Sequence, residues 1–298
     1  MPKTISHHLY HKLPLPVPHT KEQTYLLKLL RNPSHPPPPD LDHTLFLQLV
    51  RRHKLIPLAE YMVQHTKGEM KSLYKSALQQ WSVRALFLSM ELKTIVDTIE
   101  KGGIPVLNMK GPVLALQLYG QVHLRQYTDL DLIVPPKDIF RSLEILIKEG
   151  YTLKKPGEGK TRVQLERFLH THNSLELFHH QKRLLLEMHT GVHAAGWLSP
   201  ANAAVFYTNP TLVHQGGTEL RTINGHANFL FLCYHGAKHM FFRLTWLRDV
   251  ATALQTWDLD HPWIMEQARN LGIEKLLGIS LLLSQQYFDT EIPAVYQP

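Results

Sequence analysis

Two aspartates, Asp129 and Asp131, carry the clearest chemical signal in the sequence, because they alternate with leucines at the start of the apolar run DLDLIV. Side chains two positions apart on a β-strand project from the same face, so this spacing predicts both carboxylates on one face. Two like charges so placed repel unless a cation lies between them. Carboxylate oxygens are preferred ligands of Mg²⁺, the usual metal ion at phosphate groups. The pair indicates either a metal site or a solvated strand edge, since short motifs often occur by chance.

A third carboxylate, Glu187, lies in the apolar run LLLEMHT, which predicts a strand. A charged group within an apolar strand is costly to bury unless it is paired or bound to a cation. Glu187 is therefore a candidate third metal ligand, and a salt bridge to one of the many basic residues is an equal alternative. His189 lies two positions further along and is predicted on the same face.

The segment MKGP contains a candidate phosphate-binding turn formed by Lys110 and Gly111. It lies between a predicted strand, IPVLNM, and a predicted helix, VLALQLYG. Backbone N–H groups at a helix N-terminus bind phosphate, the lysine adds a positive charge, and the glycine allows close approach of the backbone. Taken alone, the segment is more typical of an ordinary turn.

Two histidines four residues apart, His235 and His239, are predicted to share one face of a helix in the segment HGAKH. The segment lacks the glutamate of the zinc-binding motif H-E-x-x-H, so a structural or substrate-facing role is favoured over a metal site. Lys238, in the same segment, is predicted to face either the substrate or solvent.

The periodicity of apolar residues changes twice along the chain. Steps of three and four residues through most of the first hundred residues predict helices. Between residues 104 and 190 the pattern predicts strand, helix, strand, helix and hairpin, and thus a small mixed sheet covered by helices. From Ala201 onward the pattern is again helical. We therefore predict an α+β protein with an N-terminal tail and helical region (1–101), an α/β core (102–200) and a C-terminal helical region (201–298).

Composition and charge narrow the class of protein further. The 298-residue chain is 44% hydrophobic and 19% charged, which excludes a disordered chain, a collagen or a coiled coil. Its formal net charge of +7 favours anionic partners such as nucleotides, although no nucleic-acid-binding motif is present. Cys233 is the only cysteine, which excludes an intramolecular disulfide and a cysteine-based zinc site. No signal peptide or apolar run of membrane-spanning length is found, so a cytoplasmic protein without membrane contact is predicted.

Four segments in order, LNMKGPVLALQLYG, LRQYTDLDLIV, LLLEMHTGVH and FLCYHGAKHMFFRLTWLRDV, make most of the chain resemble a known family. It is the family of uncharacterised bacterial nucleotidyltransferases with the DNA polymerase β-type fold. The family pattern has a Lys-Gly turn, an arginine before an Asp-x-Asp strand, a later acidic residue followed by x-His, and a His-Gly-x-x-His helix leading to Trp and Asp. The matching residues here are Lys110, Gly111, Arg125, Asp129, Asp131, Glu187, His189, His235, Gly236, His239, Trp246 and Asp249.

The resemblance implies a nucleotidyltransferase core between the two helical regions, with a role for each matched residue. Asp129, Asp131 and Glu187 would hold Mg²⁺ ions, or Mn²⁺ in their place, that bridge a nucleoside triphosphate such as ATP and an acceptor hydroxyl. Lys110 and Arg125 would neutralise the phosphates and the departing pyrophosphate. The residues predicted to bind the nucleotide or the acceptor are Lys110, Gly111, Arg125, His189, His235, Lys238 and His239.

Two departures from the family and its superfamily leave alternatives open. The superfamily has Gly-Ser where this chain has Lys110-Gly111, and the third carboxylate is Glu187 instead of aspartate. The expected function is nucleotidyl transfer to an unidentified hydroxyl of a protein or peptide, a small molecule or an RNA end, with an anionic acceptor favoured by the basic charge. A nucleotide-binding module of the same fold with little or no turnover, and a zinc hydrolase that uses the histidines, are the competing hypotheses. Replacing Asp129 or Asp131 by asparagine is expected to abolish transfer and, by relieving repulsion, to raise the melting temperature of the ion-free protein.

Overall fold

A computed structural model describes residues 20–32, 34–192 and 202–297, so most of the predicted N-terminal tail lies outside the described residues. Its contacts divide the chain into two compact units. The second unit is Trp81–Phe231, and the first comprises the chain up to Gln80 together with the chain from Leu232. The boundaries of these two units fall within helices, whereas the boundaries predicted from the sequence fall between secondary-structure elements. The predicted division into three regions remains a prediction.

A mixed sheet forms the centre of the second unit, and within the described residues it has seven strands. Their spatial order is β3-β4-β5-β2-β1-β7-β6. Two neighbouring pairs, β2–β5 and β1–β7, are parallel, and the other four pairs are antiparallel. The strands are β1 (Leu107–Asn108), β2 (Asp129–Ile133), β3 (Thr152–Lys155), β4 (Ser174–His179), β5 (Leu184–His189), β6 (Thr211–Gln215) and β7 (Thr218–Thr222). The predicted mixed sheet of an α+β protein is thereby confirmed.

The two central strands bury an aliphatic face in the core, and their opposite face carries the acidic residues. On β5, Leu184, Leu186 and Met188 are fully buried, and the residues between them are only partly covered. On β2, Leu130 and Leu132 are likewise fully buried. Burial of these aliphatic side chains holds the sheet on its core, because each contributes about 1.5–3 kcal/mol of hydrophobic stabilisation. The acidic residues at the intervening positions must therefore point away from this core.

Helices accompany the sheet within the second unit. They are the C-terminal part of α4 (Gly68–Lys101), α5 (Gly111–Tyr119), α6 (Ile139–Lys148), α7 (Arg162–His172) and the start of α8 (Gly225–Lys238). Helix α5 begins directly after β1, has a proline in its first turn, and ends at Gly120 in the left-handed conformation that favours glycine. This strand–turn–helix connection brings Lys110 and Gly111 to the edge of β2.

The helical prediction from Ala201 onward is wrong for residues 211–222, which form the β6–β7 hairpin. Gly216 and Gly217 make its two-residue turn, both with positive φ (54° and 77°), as such hairpin turns require. The hairpin joins the sheet through β7, where the Thr222 hydroxyl donates to the Asn108 carbonyl at 2.8 Å. The sequence pattern of these polar residues is weak, so pairing with the rest of the sheet determines that they form strands.

The first unit is helical throughout its described residues apart from turns and loops. It contains α1 (Lys21–Arg31), α2 (His43–Arg52), α3 (Ala59–His65), the start of α4, the end of α8, α9 (Leu244–Thr256), α10 (His261–Leu271) and α11 (Glu274–Phe288). Caps fit the sequence, since the Thr20 and Asp42 side chains accept from backbone N–H groups at the starts of α1 and α2. Among the described helices, none combines the length and the hydropathy that crossing a bilayer would demand.

Candidate active site

Parallel pairing of β2 with β5 places Asp131 directly opposite Glu187, and Ile133 opposite His189. Residues opposite each other on paired strands share a face, so both carboxylates and the imidazole project to the same side of the sheet. One ligand atom from each of Asp131, Glu187 and His189 lies within 4.8 Å of the other two. Within the described residues this is the one group of three metal-binding side chains that comes together in this way.

Asp129 lies at the edge of this group. It precedes Asp131 by two positions on the same strand and is opposite Leu185 of β5. Its side chain is partly covered, whereas Asp131 is only 4% exposed as a residue. The Thr128 hydroxyl approaches an Asp129 carboxylate oxygen at 3.5 Å. Of the three carboxylates predicted to act together, Asp131 and Glu187 belong to the group within 4.8 Å and Asp129 does not, and Asp131 is the innermost.

The Lys110 ammonium supplies the cation that the acidic pair requires. Its Nζ lies 2.9 Å from Asp131 Oδ1, and the two side chains are 17% and 3% exposed. Burial alone would lower the pKa of Lys110, but the carboxylates of Asp131, Asp129 and Glu187 outweigh this effect and raise the pKa. The lysine is therefore charged at neutral pH and offsets the repulsion between the carboxylates.

His189 completes the local charge network. Its Nε2 lies 3.4 Å from Asp131 Oδ1 and 3.5 Å from Glu187 Oε2. Burial opposes protonation of the ring, but the hydrogen bonds to Asp131 and Glu187 prevail and raise the pKa of His189. Burial would likewise raise the pKa of Asp131, but Lys110 and His189 hold it well below its usual range. Asp131 is thus a permanent anion at physiological pH.

Gly111 begins α5 beside the start of β2, with a φ of +61°. A β-carbon there would lie 3.6 Å from the Asp129 carbonyl oxygen and 3.7 Å from Leu130 Cδ2, which are ordinary contacts. Backbone conformation, not space, therefore requires glycine at this position. The first N–H groups of α5 therefore lie near Asp129. The positive end of the helix favours binding of an anion there.

Arg125 is 5% exposed and lies just before β2. The segment that carries it is held on α4, because Trp81 Nε1 donates to the His123 carbonyl at 2.7 Å and the Tyr127 hydroxyl donates to the Ala85 carbonyl at 3.3 Å. The Arg125 charge counteracts the rise in the pKa of Tyr127 that burial causes. The predicted contact of Arg125 with phosphate remains a prediction.

His235, Lys238 and His239 belong to the first unit, whereas the carboxylates belong to the second. The two imidazole rings are 4.8 Å apart, and each lies 5.2 Å from the ring of Trp246. Within the described residues, neither histidine joins a group of three metal-binding side chains. The predicted binding role of this segment toward nucleotide or acceptor remains a prediction.

Gly236 has a steric reason to be glycine. A β-carbon at this position would overlap the ring of Phe241. Met240 and Phe241 both have positive φ (51° and 46°), a conformation that side chains other than glycine seldom adopt. The tight turn after α8 therefore folds Phe241 back onto Gly236, which fixes the loop that precedes Trp246.

Sequence reasoning missed Glu176, which lies on β4 directly opposite Glu187. Its carboxylate is bound by Lys155 at 2.7 Å and Lys154 at 3.3 Å. Burial would raise its pKa, but these two lysines lower it. The strict alternation of SLELFH was the available signal, because it places Glu176 on the same face as Phe178.

The comparison with protein families agrees with this geometry. A family model described as uncharacterised nucleotidyltransferase matches residues 39–289, which is most of the chain. The chain therefore belongs to this family, and the resemblance noted from its motifs is confirmed. The protein is accordingly an enzyme of the nucleotidyltransferase class.

Similarity to individual proteins is more distant. No curated protein matches the chain. Among solved structures, the solution structure of the antibiotic-resistance factor ANT(2'')-Ia is similar, with 13% identity and a TM-score of 0.39. That match covers 67% of this chain and 92% of the other.

Proposed function

We propose that the protein transfers a nucleoside monophosphate from a nucleoside triphosphate to an acceptor hydroxyl, releases pyrophosphate, and requires a divalent cation. Family membership supports nucleotidyl transfer in general. The observation that carries the proposal is the convergence of Asp131, Glu187 and His189 beside the Lys110 ammonium. Ionisable groups that perturb one another's pKa in this way are typical of catalytic sites.

The donor set suits a divalent cation. Two carboxylates supply the oxygen ligands that Mg²⁺ prefers, and the imidazole is a ligand that Mn²⁺ also accepts. We propose Asp131 and Glu187 of this group as its ligands, with Asp129, at the edge of the group, as the third carboxylate. When bound, the ion would neutralise charge on the phosphate oxygens and favour ionisation of the acceptor hydroxyl.

Glu187 is the better candidate for removing the acceptor proton. Oδ1 of Asp131 already accepts from Lys110 and faces His189, and the side chain is only 3% exposed. The Glu187 side chain is 27% exposed and can reach an incoming group. In the proposed step the acceptor oxygen bonds to the α-phosphorus and the bond to the bridging oxygen of pyrophosphate breaks. The acceptor proton passes to Glu187.

Positive charge stabilises the departing pyrophosphate in this proposal. Lys110 lies next to the carboxylates, and the first turn of α5 opens beside Asp129. Together they provide a fixed ammonium and backbone N–H groups for phosphate oxygens. Lys110 would thereby replace the serine that the superfamily places in this turn, and Arg125 would add a second cation.

A nucleotide-binding module without turnover is the second candidate. It is favoured by one feature, the Lys110-Gly111 dipeptide in place of Gly-Ser. Calorimetric titration with each nucleoside triphosphate, with and without Mg²⁺, combined with a pyrophosphate-release assay in cell extract, separates the candidates. Binding and release in the presence of Mg²⁺ support the enzyme, and binding without release supports the module.

A further inference from the structure

A cleft of about 710 Å³ opens on the second unit next to the carboxylate group. Its lining includes Thr128 and Leu185, which are respectively the chain neighbour of Asp129 and its partner across the β2–β5 pair. The cleft is therefore adjacent to the proposed reaction site. Neither the predicted site residues nor the proposed mechanism uses the rest of its lining.

The strand register defines the floor of the cleft. Asp129 is opposite Leu185, Leu185 is opposite Phe178, and Phe178 is opposite Thr152. These four residues form one row across β2, β5, β4 and β3, with strands about 4.8 Å apart. A ligand lying along the row would have its reactive end at Asp129 and its body on Leu185 and the Phe178 ring.

Basic side chains line the cleft at two places. Lys154 lies on β3 beyond Thr152, and His180 and Arg183 belong to the turn between β4 and β5. Glu158 is the carboxylate among the lining residues. A register shift in β3 between Leu153 and Lys155 turns Lys154 into the cleft. The charges of Lys154 and Arg183 suit the cleft to a ligand with a negatively charged group such as a phosphate or carboxylate.

The backbone of the β4–β5 turn is held in place. Nη1 of Arg84 on α4 donates to the Lys182 carbonyl at 3.2 Å, and Nη2 donates to the Arg183 carbonyl at 2.7 Å. The His180 ring contacts the Phe178 ring edge-on, with centroids 5.0 Å apart. The turn that carries Arg183 is thus preorganised beside the Phe178 ring, which lowers the entropic cost of binding.

We propose that this cleft is the acceptor subsite and that the acceptor carries a planar or apolar body and an anionic group. The inference rests on the proposed function. Lys110 and the start of α5 lie on the β1 side of β2, and the cleft lies on the β5 side. An in-line displacement at phosphorus places the attacking and leaving oxygens on opposite sides, so pyrophosphate at Lys110 assigns the attacking hydroxyl to the cleft.

Binding of small aromatic probes tests the charge preference. Phenyl phosphate and benzylamine have the same ring and opposite charges, and ligand-observed NMR measures the affinity of each for the full chain. Phenyl phosphate is expected to bind about tenfold more tightly than benzylamine. A cleft that prefers benzylamine, or that binds neither probe, overturns the proposal.

Matched variants locate the binding. Two variants are each expected to weaken the binding of phenyl phosphate about tenfold. They are the double variant Lys154→Gln/Arg183→Gln and the variant Phe178→Ala. Lys155→Gln is the control, because Lys155 also bonds Glu176 but does not line the cleft. Phenyl phosphate affinity that survives the double variant, or that falls equally in the control, contradicts the assignment.

Measurements of ATP affinity and of transfer distinguish failure of the acceptor subsite from failure of the proposed function. Phe178→Ala is expected to leave ATP affinity unchanged while reducing transfer to acceptors in cell extract. Weakened ATP binding would assign the cleft to the nucleotide base and overturn the acceptor assignment alone. Normal transfer by Phe178→Ala would also overturn only the cleft. Absence of transfer from every nucleoside triphosphate by the unmodified protein would refute the proposed function, and the acceptor assignment with it.

Discussion

Asp131 and Glu187 face each other across two parallel strands, and the Lys110 ammonium lies 2.9 Å from the first of them. Helices α6 and α7, strands β3 and β4, and a hairpin turn separate these carboxylates along the chain. The fold therefore builds a compact group of opposite charges from distant segments. Its arrangement determines both what the site can bind and how much its members contribute to stability.

Asp131→Asn is predicted to destabilise the ion-free protein by about 1–3 kcal/mol, because it leaves the buried Lys110 ammonium without its closest partner. The structure thus reverses the sign expected from repulsion between the aspartates alone. Urea denaturation measures the change, and Lys110→Met/Asp131→Asn should recover part of it. A rise in the stability of Asp131→Asn would show that repulsion prevails.

Lys110→Met is predicted to tighten Mn²⁺ binding and to slow transfer about 100-fold. The substitution removes a cation that competes with the metal for Asp131, and it also removes charge that stabilises the departing pyrophosphate. Calorimetry with Mn²⁺ and steady-state kinetics measure the two effects. Weaker Mn²⁺ binding would mean that Lys110 positions the carboxylates instead of competing for them.

Gly111→Ala is predicted to cost about 1–2 kcal/mol, since φ is +61° and alanine is strained there. The control is Gly278→Ala, which lies within α11 with open space around its β-position and should be neutral or stabilising. Thermal melting compares the two. Equal melting temperatures for both variants would contradict the role assigned to the left-handed backbone.

Gly236→Ala is predicted to destabilise by about 1–3 kcal/mol through overlap with Phe241. Phe241→Ala removes the ring, so the double variant Gly236→Ala/Phe241→Ala should be less destabilised than the sum of the two single variants. Denaturant unfolding of all four proteins gives this coupling. Strict additivity would rule out the steric explanation.

The sequence predicts the components of the site better than their assembly. Alternation with leucines predicts that Asp129 and Asp131 share a face, and the apolar surroundings of Glu187 mark a strand. Their convergence depends on parallel pairing of β2 with β5, a non-local contact that periodicity does not reveal. The identity of the intervening cation, Lys110, likewise follows only from the connection between β1 and α5.

The sequence indicates other parts of the fold only weakly. The β6 strand is mostly exposed, so its residues show no apolar alternation, and only Gly216-Gly217 indicates the hairpin. Phe178 lies in an alternating strand that predicts its face, but its place in a row with Asp129 requires the register of four strands. Exposed strands and long-range register are therefore what sequence reasoning could not supply.

The most direct test of the carboxylate site follows the label of a nucleoside triphosphate. Each triphosphate, labelled at either the α- or the γ-phosphorus, is incubated with Mg²⁺, cell extract and the protein or one of two variants. Glu187→Gln removes the proposed base, and Glu176→Gln changes the neighbouring carboxylate on the same face. We predict that the α-label alone reaches an acceptor, that Glu187→Gln abolishes this and that Glu176→Gln retains it. Transfer of the γ-label, or undiminished α-labelling by Glu187→Gln, would contradict the account.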